Sequence, residues 1–521
     1  MRRLLANNRV VSLLLLVLVL AMVATACSSD SDTSGDTTTT TAGGDGGNGG
    51  DMGASIVIAI GSEPSSLDPQ IRDDGGERAI NDNIYETLLA RTPEGELVPG
   101  LASAMPTQVD DTTWDITIRE GISFTNGNPL TAEAVAASFN RIIGLGEESE
   151  QFGFFAPITK AEAVDATTVR LTTNGPDPVL PSRLYWIKVI DASLADNADF
   201  AENPVGTGPY KFVSWSRGSE IVLERNDDYW DGAPAIEEVT FRFIEEAGTR
   251  LSGVLSGEID LMTNLSPDDI DVPPKSMSVV GGEQPTMIVS TIDGPTADVR
   301  VRQAMNYAID KEALANSLYA GKAVVTQCQM LRPAYTGYND DLSAYPYDVE
   351  KAKSLIADAG AEGATIDIVG ESGRWLKDRE LIEAVANYWA DAGLNPNVQI
   401  FEFGEYLNRL FDRETRASAI FVSMSNELLD ASRTYDAYYH MDGTGASNQD
   451  TELAGWIEEA AVETDPATRE SLYNKAGERA CDDAYFAFLV DIEDTYGATD
   501  RLVWDPRVDA KLLVKEMAVS G

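Results

Sequence analysis

Histidine is nearly absent from this chain: His440, in YYHMDGTG, is the only one among 521 residues. A single histidine cannot build HExxH or a multi-histidine zinc site. It would suffice for one Ser-His-Asp triad, but no GxSxG elbow accompanies it. A lone histidine set among tyrosines reads as structural. Cysteine is almost as scarce, and Cys328 and Cys481 lack the close spacing of metal ligands. No GxxxxGK loop for phosphate occurs. No metal or cofactor is expected. Basic residues are few as well, 39 Lys+Arg against 85 Asp+Glu. That imbalance argues against nucleic acid, whose binding rests on neutralising phosphate. The acid is spread along the chain rather than gathered in a tail, and it reads as a solvated surface; whether it reflects a saline habitat is not readable from sequence. Carboxylates alone are plentiful, so a glycosidase-like hydrolase stays open as an alternative.

Only one long apolar run is present. MRRLLANNR is basic, VVSLLLLVLVLAMVATA follows, and the run stops at Cys27. A charged start, an apolar middle and small residues before the stop make residues 1–26 a secretory signal rather than a membrane span. The ATAC ending resembles the bacterial lipobox, with Ala24 where leucine is usual, and that resemblance implies lipidation of Cys27. The other reading is ordinary cleavage beside a bystander cysteine. Residues 27–53, rich in Thr, Gly and Asp, cannot bury a core and read as a flexible tether. In an exported chain Cys328 and Cys481 either pair or remain as buried thiols, and their separation is not readable from sequence.

The length calls for two or three domains. SIVIAI (55–60) reads as a buried strand, and TWDITI as a half-buried one through Trp114, Ile116 and Ile118. TAEAVAASFNRII predicts a helix capped by Thr131. Asp298 and Asp348 are predicted caps of two more helices, the second closed by Gly360. From 364 onward strand and helix alternate: ATIDIVG, RELIEAVANYWADAG, NVQIFEF, EYLNRLF, ASAIFVSM. This order predicts an α/β lobe with largely parallel pairing. NPVGTGPYKF (203–212) concentrates turn chemistry ahead of a strand. Pro204 and Pro209 fix φ, while Gly206 and Gly208 are expected to allow turns that other residues resist.

Several stretches, in order, resemble the solute-binding proteins of peptide/nickel-type ABC importers: SEPSSLDPQ, YETLL, LVPGLA, TWDITIREGISFTNGNPLTAEAV, NPVGTGPYKF, RNDDYWDGAP, LSGEIDL, DVRVRQAMNYAID and YDVEKAKSLIADAG. The resemblance covers nearly everything from residue 55 on. It implies a two-lobed, hinge-connected α/β fold of the periplasmic-binding-protein type II, in the large cluster that carries an extra subdomain. Its expected parts are lobe I (54–95, 200–288 and 490–521), the subdomain of lobe I (96–199) and lobe II (289–489). It implies a monomeric receptor rather than an enzyme, held by a lipid at the extracytoplasmic face of the bacterial membrane. Such a receptor would capture a small, peptide-like solute and deliver it to the importer's permease subunits. A sugar or another small metabolite is an alternative solute, and a surface adhesin a further class.

The resemblance also suggests site residues. In dipeptide-binding relatives an acid for the ligand ammonium lies in a GWxxDxxDP-like stretch. SMSNELLDA occupies that place here, with Glu427 as the first acid and Asp430 as the second. Met424 replaces the tryptophan and Ala431 the proline. Arg374, ahead of a predicted helix, stands for the partner of the ligand carboxylate. Asp73, Asp74 and Gly75 form a third wall. Read from residue type alone, Asp430 is equally a helix cap and Arg374 equally a surface arginine.

Overall fold

The computed structural model describes residues 53–73, 75–195, 197, 199–372, 374–412 and 416–520. Cys27, the signal, nearly all of the tether and Asp74 lie outside the described residues. The apolar stretch after the tether forms the strand Ala54–Ile60, whose Ile56, Ile58 and Ile60 are buried. It runs parallel to Ile236–Phe243 on one side and to Leu261–Thr263 on the other. These three belong to an eight-stranded sheet. Lys275–Val280 and Val490–Ala498 extend it at one edge, and Glu220–Arg225 and Tyr210–Ser216 at the other. The eighth strand, Ala323–Val325, pairs with Val490–Ala498.

The second lobe is built on a five-stranded sheet in the order Asn395–Phe401, Thr365–Glu371, Ala419–Met424, Gln284–Val289, Phe486–Phe488. The first three strands are parallel, as alternation of strand and helix predicts. Gln284–Val289 is instead antiparallel to both its neighbours, so only half of the pairings follow the parallel expectation. The reason is connectivity. The chain enters the lobe along Gln284–Val289 and leaves it along Phe486–Phe488, and adjacent entry and exit strands must run in opposite directions. The crossings between the two large sheets therefore fall between Val280 and Gln284 and between Phe488 and Val490. Residues 284–288, expected in lobe I, thus pair within the second sheet.

The subdomain carries a four-stranded antiparallel sheet, Thr107–Asp110, Thr113–Thr117, Thr168–Thr173 and Ile158–Ala163. The helix Ala132–Leu145 packs on it, and Val135, Phe139 and Ile142 enter the shared core. The predicted caps are made: Thr131, Asp298 and Asp348 accept from the backbone N–H groups of Ala134, Arg300 and Lys351. Gly360 closes its helix in the left-handed region at φ 67°.

NPVGTGPYKF does return the chain to the large sheet, since Tyr210–Ser216 is its edge strand. The glycines act differently from expectation, because neither has a left-handed φ. They lie against the end of the helix Gly75–Ile84. A Cβ on Gly206 would stand 2.0 Å from the Ile84 carbonyl oxygen, and one on Gly208 2.6 Å from it. Close backbone approach, not turn geometry, excludes side chains there. The neighbouring Thr207 hydroxyl, with Tyr229 and Trp230 of RNDDYWDGAP, donates to the half-buried Glu86 of YETLL. Three separated motifs thus close on one carboxylate.

Cys328 and Cys481 are joined by a disulfide with a Cα–Cα distance of 5.4 Å. Cys328 lies in a core of the second lobe with Tyr435, Tyr439 and Phe486, and Cys481 packs against it. His440 accepts from the Asp442 backbone N–H through Nδ1 and lies 3.3 Å from Glu458 through Nε2.

Candidate functional site

The two lobes touch across a cleft. Leu428, from the turn that follows Ala419–Met424, is buried in the subdomain core. Arg91 of the first lobe donates to the Leu428 carbonyl at 2.7 Å and lies over Tyr185 at 4.9 Å. On another part of the rim Lys377 pairs with Asp268 at 2.7 Å.

The turn holding Leu428 is strained. Leu429 has φ 50°, a left-handed conformation that a branched side chain disfavours. Asn426 holds it by donating to the Asp430 carbonyl and to the Thr434 hydroxyl. This places Glu427 at the interface. Ser425 donates to its Oε1 at 2.7 Å, and its Oε2 lies 2.9 Å from Arg433 Nε without aligned hydrogen-bond geometry. Burial favours the neutral acid. The Arg433 and Arg78 guanidiniums and the Ser425 hydroxyl outweigh that and hold the Glu427 carboxyl below the usual range.

Asp430 sits three residues on but has other work. It is 3% exposed, caps the following turn at Ser432 N, and receives both Arg469 Nη atoms at 2.9 and 2.6 Å. Its carboxylate is therefore occupied within the second lobe. Arg374 is exposed, with its guanidinium 4.9 Å from the Phe403 ring, at the start of the loop leading into the helix Asp378–Asp391. Asp73 is buried in the first lobe, where it pairs with Lys188 and accepts from Asn81. Lys188 also meets Asp82 at 3.0 Å, and Lys511 meets Asp82 at 3.1 Å. Gly75 begins the helix Gly75–Ile84 and is exposed. Of the expected residues, the structure brings Glu427 into the interface. It leaves Arg374 exposed and ties Asp430 and Asp73 into networks within one lobe.

Sequence reasoning missed further charged residues of this region, among them Arg78, which acts on Glu427. Arg78, on the first-lobe helix, lies with its guanidinium 4.7 Å from the Trp186 ring, and its enclosed Nε has no hydrogen-bond partner. Arg332 meets Asp491 at 3.4 Å and has an unpartnered Nη2. The Ser423 hydroxyl faces the Glu283 carboxylate and favours its ionised form. Burial pushes the carboxyls of Glu283, Asp491 and Asp494 upward. Beside this cluster, between the subdomain and the second lobe, opens a cavity of about 720 Å³ lined by Asp177, Arg183, Met424, Arg433, Asp436 and Tyr438. Among the described residues no group of acids, histidine and cysteines is arranged to hold a metal ion. No helix among them is long and apolar enough to cross a membrane.

Two lobes joined by paired crossings, closed over facing charges that are only partly satisfied by one another, define a receptor that encloses a small polar solute. The family profile of the bacterial extracellular solute-binding proteins, family 5 (middle region), matches residues 96–446, and the chain belongs to that family. It is 25% identical over 470 residues to a glutathione-binding protein GsiB of Pectobacterium atrosepticum, covering 86% of this chain and 89% of the relative. It is 28% identical over 405 residues to a dipeptide-binding protein of Escherichia coli (strain K12), covering 69% and 74%. The solved structure of the ABC transporter substrate-binding protein CtaP from Listeria monocytogenes superposes with a TM-score of 0.81 at 23% identity, covering 90% of this chain and all of that one.

Proposed function

We propose that this chain is the extracytoplasmic receptor of an ABC importer for a peptide-like solute. It is anchored by a lipid on Cys27, acts as a monomer and hands its solute to the permease subunits. The observation that carries the reading is Glu427: a carboxylate held ionised at the interface of two closed lobes by a guanidinium from each of them, with one oxygen lacking an aligned hydrogen bond. An extended peptide offers a positive end, a negative end and a backbone to be hydrogen-bonded. Glu427 takes the ammonium. Arg374, at the start of its exposed loop, takes the distal carboxylate of a longer solute, and Asp74 and Gly75 form part of the opposing wall. Asp430 and Asp73 act one step back, fixing the Glu427 turn and Lys188. The relatives named for glutathione and dipeptides support a peptide-like solute. Closure of the lobes excludes water and presents one shape to a permease.

The test is calorimetric titration with a panel of di- and tripeptides, sugars and small metabolites. A peptide should bind and be recovered chemically intact. Glu427→Gln should weaken it by about 2–5 kcal/mol, because a desolvated ammonium loses its counter-charge. N-acetylation of the peptide should weaken wild-type binding similarly. Binding of a sugar with no response to peptides would refute the solute class. For anchoring, Cys27→Ala should release the protein into the medium; a cleaved variant that stays with the membrane would refute the lipid.

A further inference from the structure

The turn that carries Glu427 also reaches past the cleft. Its next two residues, Leu428 and Leu429, belong to the second lobe yet are 3% and 4% exposed. Leu428 enters the subdomain core, whose other buried members all lie between Leu88 and Val189. Leu429 packs beside the tip of the first-lobe hairpin made by Leu89–Arg91 and Leu97–Pro99. A Cβ on Gly95, at that tip, would stand 3.5 Å from Leu429 Cδ1 and 3.3 Å from Ala334 Cβ, both of the second lobe. Gly95 also has φ 95°, so glycine serves the hairpin turn and the seat together. Arg91, buried at the base of the hairpin, ties the two sides. Its guanidinium donates to the Leu428 carbonyl at 2.7 Å, to the Gly95 carbonyl at 2.5 Å and to the Ser182 hydroxyl. On the second-lobe side the Thr336 N–H donates to the Leu429 carbonyl and the Ala431 N–H to the Thr336 carbonyl, each at 2.9 Å.

We propose that the turn Asn426–Asp430 and the hairpin Leu89–Pro99 form a latch that keeps the lobes shut before solute arrives, so that solute enters through a minor open state. Every group in the contact belongs to the chain itself. Opening exposes two leucines to water and takes one acceptor from a buried guanidinium. Burial of a single leucine corresponds to roughly a ten- to hundredfold shift in an open–closed equilibrium. The other contact between the lobes, Lys377 with the exposed Asp268, adds little beside that. Opposing the latch is the left-handed backbone of Leu429, whose strain is relieved when the turn is released. The latch is therefore strong enough to set the resting state and still able to open. It does not depend on which solute the cleft takes. Its consequence for capture is an order of events: opening comes first, and binding draws on the minor state. The acid that faces the cleft, Glu427, is positioned by a turn already seated in the first lobe.

Double electron–electron resonance on the mature chain tests this, after unfolding and refolding with the disulfide intact to remove any carried solute. Spin labels are placed through Val213→Cys on the first lobe and Val462→Cys on the second, both at exposed positions. A Cys27→Ala background leaves only the introduced thiols to label, since Cys328 and Cys481 are bonded to each other. With no solute added, one short distance should dominate. Leu428→Ala should raise the ratio of long to short distance at least tenfold, and Leu428→Met, which keeps the apolar burial, should stay close to the parent. A leucine that only stabilised its surroundings would lower the melting temperature without moving this ratio. A parent chain dominated by the long distance overturns the proposal, as does a folded Leu428→Ala variant with the parent's distribution. If Leu428→Ala does not fold, Arg91→Gln decides, because it leaves both leucines in place. A severalfold rise in the long distance then supports the latch, and an unchanged distribution overturns it.

Discussion

Asp430 and Arg469 offer a direct way to separate structure from ligand binding in the second lobe. Their side chains are 4% and 6% exposed, and two Nη–O contacts join them. Asp430→Asn keeps a good cap for the Ser432 turn, since asparagine caps about as well as aspartate. What it removes is the counter-charge of a buried guanidinium, a loss of about 3–5 kcal/mol. Roughly 470 ordered residues at about 2.1 cal/mol/K each give an unfolding entropy near 1 kcal/mol/K. The melting temperature should then fall by about 3–5 °C if the lobes melt together. If the second lobe melts alone, with roughly 200 residues, the fall should be about 7–12 °C. Scanning calorimetry measures both cases. The double variant Asp430→Asn with Arg469→Met should recover part of the loss, because a buried pair is often replaceable by apolar packing. There is also a pH signature. Burial opposes ionisation of Asp430, but Arg469 outweighs it and holds the carboxyl below its usual range. The pair's contribution is present above the unfolded value of about 3.9 and is lost as pH falls through the lower folded value. Wild type and variant should therefore differ at neutral pH and converge in strong acid. An Asp430→Asn variant that melts like wild type but no longer binds its solute would refute this assignment and give the carboxylate to the ligand.

Three further outcomes are expected. Reducing the Cys328–Cys481 disulfide, which spans a sequence separation of 153, should destabilise the protein by about 4–5 kcal/mol in the chain-entropy model; unfolding in denaturant with and without reductant measures this. Gly206→Ala should destabilise by at least about 1–3 kcal/mol, as overpacking does, since its Cβ meets the Ile84 carbonyl oxygen; unchanged thermal stability would contradict the close approach. Burial and the neighbouring Asp378 push the Glu371 carboxyl up to about 7. Its stabilising share is thus full below the unfolded value of about 4.3 and is lost as pH rises through about 7. Glu371→Gln should flatten the decline of melting temperature between those values.

Helix caps were legible because they are local. Thr131, Asp298 and Asp348 each bond a backbone group two or three residues on, within the span over which sequence order fixes distance. The lobes were legible through the order of their motifs. Glu427 and Asp430 were both candidates, and sequence had no means to rank them. The deciding partner of Asp430, Arg469, lies 39 residues away on another helix. Arg78 was invisible for a related reason. Arginine is ordinarily a surface residue, and the ring it lies over, Trp186, is 108 positions further along the chain and brought near only by the fold. The antiparallel entry strand and the close packing of Gly206 are likewise tertiary facts, fixed by what the chain meets rather than by its local composition.

The adjacency of Gln284–Val289 and Phe486–Phe488 gives the second lobe the properties of a cassette. Its two ends are neighbouring strands, with Thr286 opposite Phe488, so the whole lobe hangs on the rest of the chain by one pair of side-by-side stems. A graft that exchanged it for the corresponding lobe of another family member would need two junctions at nearly the same place in space. It would cut one chain pairing of the large sheet, that of Ala323–Val325. Such a hybrid would take Glu427 and Arg433 from one parent and Arg78 and Trp186 from the other. Recombination can therefore shuffle the two halves of the recognition surface independently, each half carrying its own charges and each tested against whatever half it joins.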